Sequence, residues 1–220
     1  MIIKADKNTC FVFDLDDTLY SEIDYLKSAY YAIAVEISNE RGKLLCNEMV
    51  QIYSSGGNSF EYLLNKFPEK NLSIEKLLYL YRTHYPNISL REGVLEMLFE
   101  IKKRDGKIGV ITDGRSITQR NKINALGLED LVDKLVISEE FGYEKPASLL
   151  YESFIGSGSE MQFYYVGDNI SKDFITPKKL TWCCIGVLDK KCVHKQNLSE
   201  FATEYLPHFF INKFTEIEII

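Results

Sequence analysis

The sequence predicts an α/β protein built on a parallel β-sheet with helices on both faces. Short, almost continuously apolar runs bounded by turn residues recur along most of the chain, and segments of helical periodicity separate the later ones. Strands that are buried on both faces have this composition, and alternating strands and helices indicate a parallel sheet. One long stretch, at about residues 19–87, has helical periodicity and no strand candidate.

Five apolar runs are the strand candidates. They are residues 10–14, 107–112, 134–138, 163–166 and 182–187. A helix with apolar positions from Val94 to Ile101 precedes the second strand and ends before Gly106, where a helix commonly stops. Beyond the fifth strand we expect a helix near residues 198–205 and a short apolar strand at residues 209–211.

The stretch at residues 19–87 predicts an all-helical insert between the first strand and the rest of the sheet. Its first helix has apolar residues at spacings of three and four, after a Ser21-x-x-Asp24 capping box. A later helix contains Leu77 and Tyr81. The chain therefore divides into a core that contains the predicted strands, at residues 1–18 and 88–220, and a helical insert at residues 19–87.

Composition limits the possible partners and compartment. Lys and Arg number 26 and Asp and Glu number 32, so the net charge of −6 disfavours binding to nucleic acid or to an anionic membrane through charge. The five cysteines form no CxxC motif, which indicates reduced thiols. No apolar run is long enough for a signal peptide or a membrane span, so we expect a cytoplasmic protein without membrane contact.

Polar side chains follow four successive strands. Asp14 and Asp16 come at the end of the first strand, two positions apart, so in an extended chain they point the same way. The later strands contribute Thr112, Asp113 and Gly114 after the second, Lys145 before Pro146 after the third, and Asp168 with Asp173 after the fourth. Pro146 suits the first position of a helix. Open parallel sheets bind ligands at their carboxyl edge, so these residues predict a site there.

These four motifs, in this order, resemble the haloacid dehalogenase superfamily. The matching segments are DLDDTL at residues 14–19, TDG at 112–114, the lysine of EKP at 144–146 and GDNISKD at 167–173. The resemblance covers essentially the whole chain and is closest to the phosphoglycolate phosphatase and pyrimidine nucleotidase branch. It implies a Rossmann-like, doubly wound sheet in strand order 3-2-1-4-5 and a helical cap inserted after the first strand.

The resemblance also implies roles for the motif residues. Mg²⁺ would be held by the carboxylates of Asp14 and Asp168 and by the backbone carbonyl of Asp16, with Asp173 orienting the site. Asp14 would attack phosphorus and become phosphorylated, while Asp16 would protonate the leaving oxygen and then activate water. Phosphoryl oxygens would be bound by Lys145, by the Thr112 hydroxyl and by the backbone of Asp113 and Gly114. Dehalogenases of the superfamily lack an acid at the position of Asp16, so its presence indicates a phosphatase.

Several questions stay open at the level of sequence. The substrate is a small phosphorylated metabolite: a sugar phosphate, phosphoglycolate or a nucleotide monophosphate. A phosphomutase and a phospho-acceptor signalling domain are the alternative functions, and the sequence does not decide between monomer and dimer. Asp17 is expected to brace the loop rather than join the chemistry. Thr181 stands where relatives usually have glycine, which puts the local turn geometry in question.

Overall fold

The central feature of the fold is a six-stranded, all-parallel β-sheet. The computed structural model describes residues 1–156, 161–188 and 197–220, so Cys192 lies outside the described residues. The strands lie in the order β4-β3-β2-β5-β6-β7. Their bounds are β2 Thr9–Phe13, β3 Lys107–Thr112, β4 Lys134–Ile137, β5 Gln162–Gly167, β6 Cys183–Val187 and β7 Phe209–Ile211. The predicted fold class and order 3-2-1-4-5 are confirmed, and the strand predicted at residues 209–211 extends that order at one edge.

Strand β2 lies at the centre of the sheet because every one of its residues can be buried. All five residues of β2 are buried, and the strand pairs with β3 on one side and β5 on the other. Phe11 and Phe13 pack in the hydrophobic cluster on one face of the sheet, and Cys10 and Val12 in that on the other. This alternation is the period of two that a strand imposes.

Helices cover both faces of the sheet. Helix α5 (Val94–Lys103) ends as predicted, with Gly106 N–H donating to the carbonyl of Ile101 at 3.0 Å. The other helices of this part are α6 Ser116–Ala125, α7 Ser138–Phe141, α8 Ser148–Glu152 and α9 Ile175–Lys179. Pro146 precedes α8 by two residues, so the prediction that it occupies the first helical position is wrong. It lies instead in a turn closed by Ala147 N–H donating to the Glu144 carbonyl at 3.0 Å.

The stretch after β2 is helical, as predicted. Its helices are α1 Glu22–Ile37, α2 Gly42–Ser54, α3 Ser59–Lys66 and α4 Ile74–Thr83, and they enclose a hydrophobic cluster of their own. The two chain segments that join them to the sheet pair with each other, through an antiparallel bridge between Tyr20 and Leu90 and a 2.9 Å hydrogen bond from Arg91 N–H to Leu19 O. The domain boundaries at residues 18/19 and 87/88 stay a prediction.

The start of α1 differs from the predicted capping box. Ser21 is the N-cap residue, but its hydroxyl makes no capping bond and is buried without a partner in the described part of the chain. Asp17 supplies the acceptor instead: its Oδ1 accepts the Glu22 N–H at 2.9 Å and lies 3.5 Å from the Arg91 guanidinium. Asp17 therefore braces the loop, as expected.

The chain ends also depart from expectation. The helix predicted at residues 198–205 is wrong, because only Leu198–Glu200 forms a single 3₁₀ turn. Lys178 Nζ donates to the carbonyls of Thr203 and Leu206, at 2.8 and 3.0 Å, and so binds this segment in its non-helical course. A second, two-stranded parallel sheet joins β1 (Ile2–Ile3) to β8 (Glu218–Ile219) and was not predicted.

Thr181 occupies the turn between α9 and β6 in a left-handed conformation, with φ of 62°. Its neighbours close the turn, with Trp182 N–H donating to Pro177 O at 2.9 Å and Thr181 N–H to Lys178 O at 3.0 Å. Such a helix end normally takes glycine, because a Cβ is disfavoured there. Having threonine at position 181 in place of glycine therefore makes this turn conformation less favourable.

Candidate active site

The predicted site residues meet at the carboxyl edge of the sheet around a small cavity. Asp14 follows β2, Thr112 ends β3, Lys145 lies in the turn before α8 and Asp168 follows β5. The cavity has a volume of about 130 Å³. It is lined by Asp14, Asp16, Glu22, Thr112, Asp113, Lys145, Asp168, Asn169 and Lys172. A cleft of about 730 Å³ runs along α1 and α2, but none of the motif residues lines it.

Asp14 is held between a lysine and a threonine. Its backbone N–H continues the ladder to Val166 O at 2.8 Å, which fixes the residue one position beyond β2. Its Oδ1 accepts from Lys145 Nζ at 2.5 Å, and its Oδ2 accepts from the Thr18 hydroxyl at 3.0 Å. Asp14 is only 5% exposed, so little solvent shares these contacts.

Asp173 anchors the other side of Lys145. Lys145 Nζ donates to Asp173 Oδ1 at 2.7 Å, and the Asn169 N–H donates to Asp173 Oδ2 at 2.9 Å. The absence of a side chain at Gly167 makes room for this carboxylate, since a Cβ there would lie 2.5 Å from Asp173 Oδ2. The fourth motif therefore needs its glycine as well as its acids.

Three carboxylates could hold a metal ion together. Asp14, Asp168 and Asp173 each offer an oxygen within 4.8 Å of the others. Burial, with repulsion from Asp173 and despite Lys145, raises the pKa of Asp14 to about 7. Burial and the charges of Asp14 and Asp173 raise the pKa of Asp168 to about 9. Oxygen ligands that repel each other in a buried site fit a small dication such as Mg²⁺, which would offset that repulsion.

Asp16 has a different environment from Asp14. Burial opposes its ionisation, but Lys122 at 2.6 Å and hydrogen bonds from Tyr20 and Gln119 hold the pKa of Asp16 below its ordinary value. The Asp16 carboxylate is not in the three-carboxylate group, and the metal contact expected for this residue is through its backbone carbonyl. That contact stays a prediction.

Two residues of the second motif, Thr112 and Asp113, line the cavity, whereas the third, Gly114, contacts a neighbouring segment. Gln119 donates to the Thr112 hydroxyl, and Asp113 accepts from Lys145 N–H at 3.0 Å and Lys172 Nζ at 2.8 Å. Gly114 is not among the residues that line the cavity, and its N–H donates to the Ser138 hydroxyl at 2.9 Å. Its expected contact with a phosphoryl oxygen therefore stays a prediction that requires this bond to open.

Sequence reasoning missed four side chains at this site. Glu22 and Lys172 line the cavity, and Gln119 and Lys122 bind Asp16 from one face of α6, at a spacing of three residues. The only signal in the sequence was this polar pair at helical spacing after the second motif. In the sequence, a buried lysine on such a helix cannot be distinguished from an exposed one. In the structure Lys122 is only 5% exposed, and its Nζ lies 4.4 Å from the centroid of the Tyr25 ring.

Comparison with known proteins agrees with these motifs. Residues 11–187 match the haloacid dehalogenase-like hydrolase family. The chain belongs to this family. It is therefore a hydrolase, and its fold and motif order are those of a family member. No helix in the described ranges is long and apolar enough to cross a membrane.

Several proteins of similar sequence are phosphatases. The chain is 29% identical over 198 residues to a glyceraldehyde 3-phosphate phosphatase of Methanocaldococcus jannaschii, covering 82% of this chain and 85% of that protein. It is 34% identical over 86 residues to the pyrimidine 5'-nucleotidase YjjG of Escherichia coli, 38% of each chain. The fold resembles a predicted phosphoglycolate phosphatase from Haemophilus somnus, with a TM-score of 0.62, 17% identity and 96% of each chain covered. The predicted superfamily is confirmed.

Proposed function

We propose that this hydrolase is a Mg²⁺-dependent phosphatase that cleaves a small phosphate monoester through a phosphorylated Asp14. The observation that carries the proposal is the position of Asp14: it is buried, borders the cavity and contacts Lys145 at 2.5 Å, with two further carboxylates beside it. A carboxylate is a competent nucleophile toward phosphorus when the phosphoryl charge is neutralised nearby.

Asp14 and Asp168 would hold the metal ion, and Asp173 would orient it. Asp173 already accepts hydrogen bonds on both oxygens, from Lys145 on one and from the Asn169 N–H on the other, which suits a supporting role. When bound, Mg²⁺ supplies the positive charge that lets a phosphate dianion approach this acidic cavity.

The remaining steps fall to the chain's own side chains. Lys145 stays charged, because the carboxylates of Asp14 and Asp173 outweigh its burial and raise its pKa well above the ordinary value. It can therefore bind a phosphoryl oxygen while Asp14 attacks. Since its contacts hold the pKa of Asp16 low, Asp16 would first take up a proton as the substrate arrives, give it to the leaving oxygen, and then take one from the water that hydrolyses the aspartyl phosphate.

The substrate would be a small phosphorylated metabolite. The cavity of about 130 Å³ at the motif residues has room for the phosphoryl group. The relatives named above act on glyceraldehyde 3-phosphate and pyrimidine 5'-nucleotides, which supports sugar phosphates and nucleotide monophosphates as candidates. We propose a cytoplasmic protein with no nucleic-acid or membrane partner.

A panel of phosphate esters tests this function. With Mg²⁺ we expect steady release of inorganic phosphate from p-nitrophenyl phosphate and at least one sugar or nucleotide monophosphate, and its loss in excess EDTA. Activity that needs a bisphosphate activator and releases no phosphate would point instead to a phosphomutase. A single round of phosphorylation without turnover would indicate a phospho-acceptor domain.

A further inference from the structure

Glu22 brings an acidic side chain from the helical part of the chain into the catalytic cavity. It is the first residue of α1, whereas the other lining residues belong to the segments at the carboxyl edge of the sheet. The 2.9 Å hydrogen bond from Glu22 N–H to Asp17 Oδ1 holds the helix start against the catalytic loop. Asp17 is itself only 1% exposed, so this attachment is well defined.

The described lysines near Glu22 each bind another acid. Of the two that line the cavity, Lys145 is bound by Asp14 and Asp173, and Lys172 donates to Asp113 at 2.8 Å. Lys122, whose charge lowers the pKa of Glu22, donates to Asp16 at 2.6 Å. The Glu22 carboxylate has no hydrogen bond or ion pair within residues 1–156, 161–188 and 197–220. A half-buried carboxylate of this kind can accept a hydrogen bond from a ligand. The donor that it binds best is a charged group or a hydroxyl.

Glu22 lies on the side of the cavity where the leaving group must go. A phosphoryl group has to meet Asp14 and Lys145, which fixes the rest of the substrate toward Asp16, the proposed acid for the leaving oxygen. Glu22 lines the cavity together with Asp16, and its backbone N–H donates to Asp17, the residue next to Asp16. Burial raises the pKa of Glu22 to about 7, and among the neighbouring acids Asp16 adds most to that rise.

We propose that Glu22 selects phosphate esters whose leaving group carries a hydroxyl or amino donor close to the ester oxygen. It disfavours those that carry a carboxylate or a second phosphate there. This inference rests on the proposed phosphatase function and narrows its substrates. A donor on the leaving group satisfies the Glu22 carboxylate, whereas an anion placed beside Glu22 and Asp16 in a poorly solvated cavity is repelled. Phosphoglycolate would accordingly be a poor substrate.

Three esters of nearly equal size test the proposal. They are 2-hydroxyethyl phosphate, phosphoethanolamine and phosphoglycolate, which differ only in the terminal hydroxyl, ammonium or carboxylate. For the full-length protein with Mg²⁺, we expect kcat/KM for the first two to exceed that for phosphoglycolate at least tenfold. A preference for phosphoglycolate in the unaltered protein would overturn the proposal without any variant.

Glu22→Gln, which keeps the size and removes the charge, is the direct variant. We expect it to reduce the ratio of kcat/KM for 2-hydroxyethyl phosphate to that for phosphoglycolate at least fivefold. Glu36 is an exposed acid on the same helix, and Glu36→Gln should leave this ratio unchanged.

Glu22→Ala serves as a second variant, and circular dichroism checks the fold of each. An unchanged ratio in folded Glu22 variants would contradict the proposal. If p-nitrophenyl phosphate is hydrolysed in that case, only this inference fails. If no ester is hydrolysed at all, the phosphatase function fails with it.

Discussion

Two aspartates only two residues apart, Asp14 and Asp16, lie in opposite electrostatic environments. Asp14 shares Lys145 with Asp173, and burial with the charges of Asp173 and Asp16 raises its pKa to about 7. Asp16 is bound by three donors: Lys122 lies at 2.6 Å, and Tyr20 and Gln119 also donate to it. Its pKa is held down despite burial.

The difference shows how one loop can give two carboxylates separate functions. Crowded acids need a cation before they can ionise together, so we expect the Asp14 group to depend on a metal ion. The Asp16 group carries its own cation, Lys122, and therefore holds its geometry without one. The proposed roles need the reverse order, an ionised Asp14 and a protonated Asp16. The pKa of Asp14 would therefore have to fall when Mg²⁺ binds, and Asp16 would have to take up a proton as the substrate arrives.

The largest expected effect comes from removing the nucleophile. Asp14→Asn should lower kcat at least about a thousandfold, or about 4 kcal/mol in activation free energy, because an amide is a poor nucleophile and a weak Mg²⁺ ligand. Initial rates with p-nitrophenyl phosphate measure this, and the exposed Asp130→Asn variant is the matched control. A folded Asp14→Asn protein with activity within tenfold of the parent would remove Asp14 from the mechanism.

A smaller loss, dependent on the leaving group, is expected at the other aspartate. Asp16→Asn should reduce kcat by about 100- to 10,000-fold for alkyl phosphates, which need a proton on the leaving oxygen. The loss for p-nitrophenyl phosphate should be smaller, since nitrophenolate leaves with little protonation. Equal losses for both classes of ester would contradict an acid role for Asp16.

Lys122 should act only through Asp16. Lys122→Met removes the cation that positions the Asp16 carboxylate, and we expect kcat to fall about tenfold to a hundredfold. In an Asp16→Asn background the same change should have less than about a threefold effect, because the partner is already gone. Exposed Lys103→Met is the matched control. Losses that multiply in the double variant would show that Lys122 works independently of Asp16.

The strands and the motif residues could be predicted from the sequence because both depend on local patterns. A buried parallel strand is a short apolar run, and parallel strands end at one edge, so Asp14, Lys145 and Asp168 had to meet. The tail helix was predicted wrongly because Leu198 and Phe201 have helical spacing, whereas both pack on the sheet from a single 3₁₀ turn and the segment after it is bound by Lys178.

The neighbours of Asp16 were beyond sequence reasoning for a different reason. Lys122 and Gln119 contact Asp16 across more than 100 residues of chain, at separations of 106 and 103 positions. The two-residue strands Ile2–Ile3 and Glu218–Ile219 are too short to show a period of two. Both kinds of contact are set by tertiary packing, which leaves no local signal.

The smallest expected effect concerns metal and pH. Because the native pKa values of Asp14 and Asp168 lie above the ordinary value of 3.8, their contribution to stability falls as pH rises from that value to about 7 for Asp14 and to about 9 for Asp168. Mg²⁺ binds the ionised forms, so we expect it to raise the melting temperature by more at pH 8.5 than at pH 6. Asp168→Asn should lose most of this gain, and Asp130→Asn should keep it. A metal effect that is larger at pH 6 would contradict the assignment.

The most direct measurement is to locate the phosphorylated residue. The protein is mixed with Mg²⁺ and substrate, quenched within milliseconds and reduced with borohydride, which converts an aspartyl phosphate to homoserine. Mass spectrometry of the peptide that contains residues 14 and 16 then distinguishes the two positions. We expect homoserine at position 14 alone, dependent on substrate and absent in Asp14→Asn. Homoserine at position 16, or turnover with unmodified protein at every quench time, would contradict Asp14 as the nucleophile.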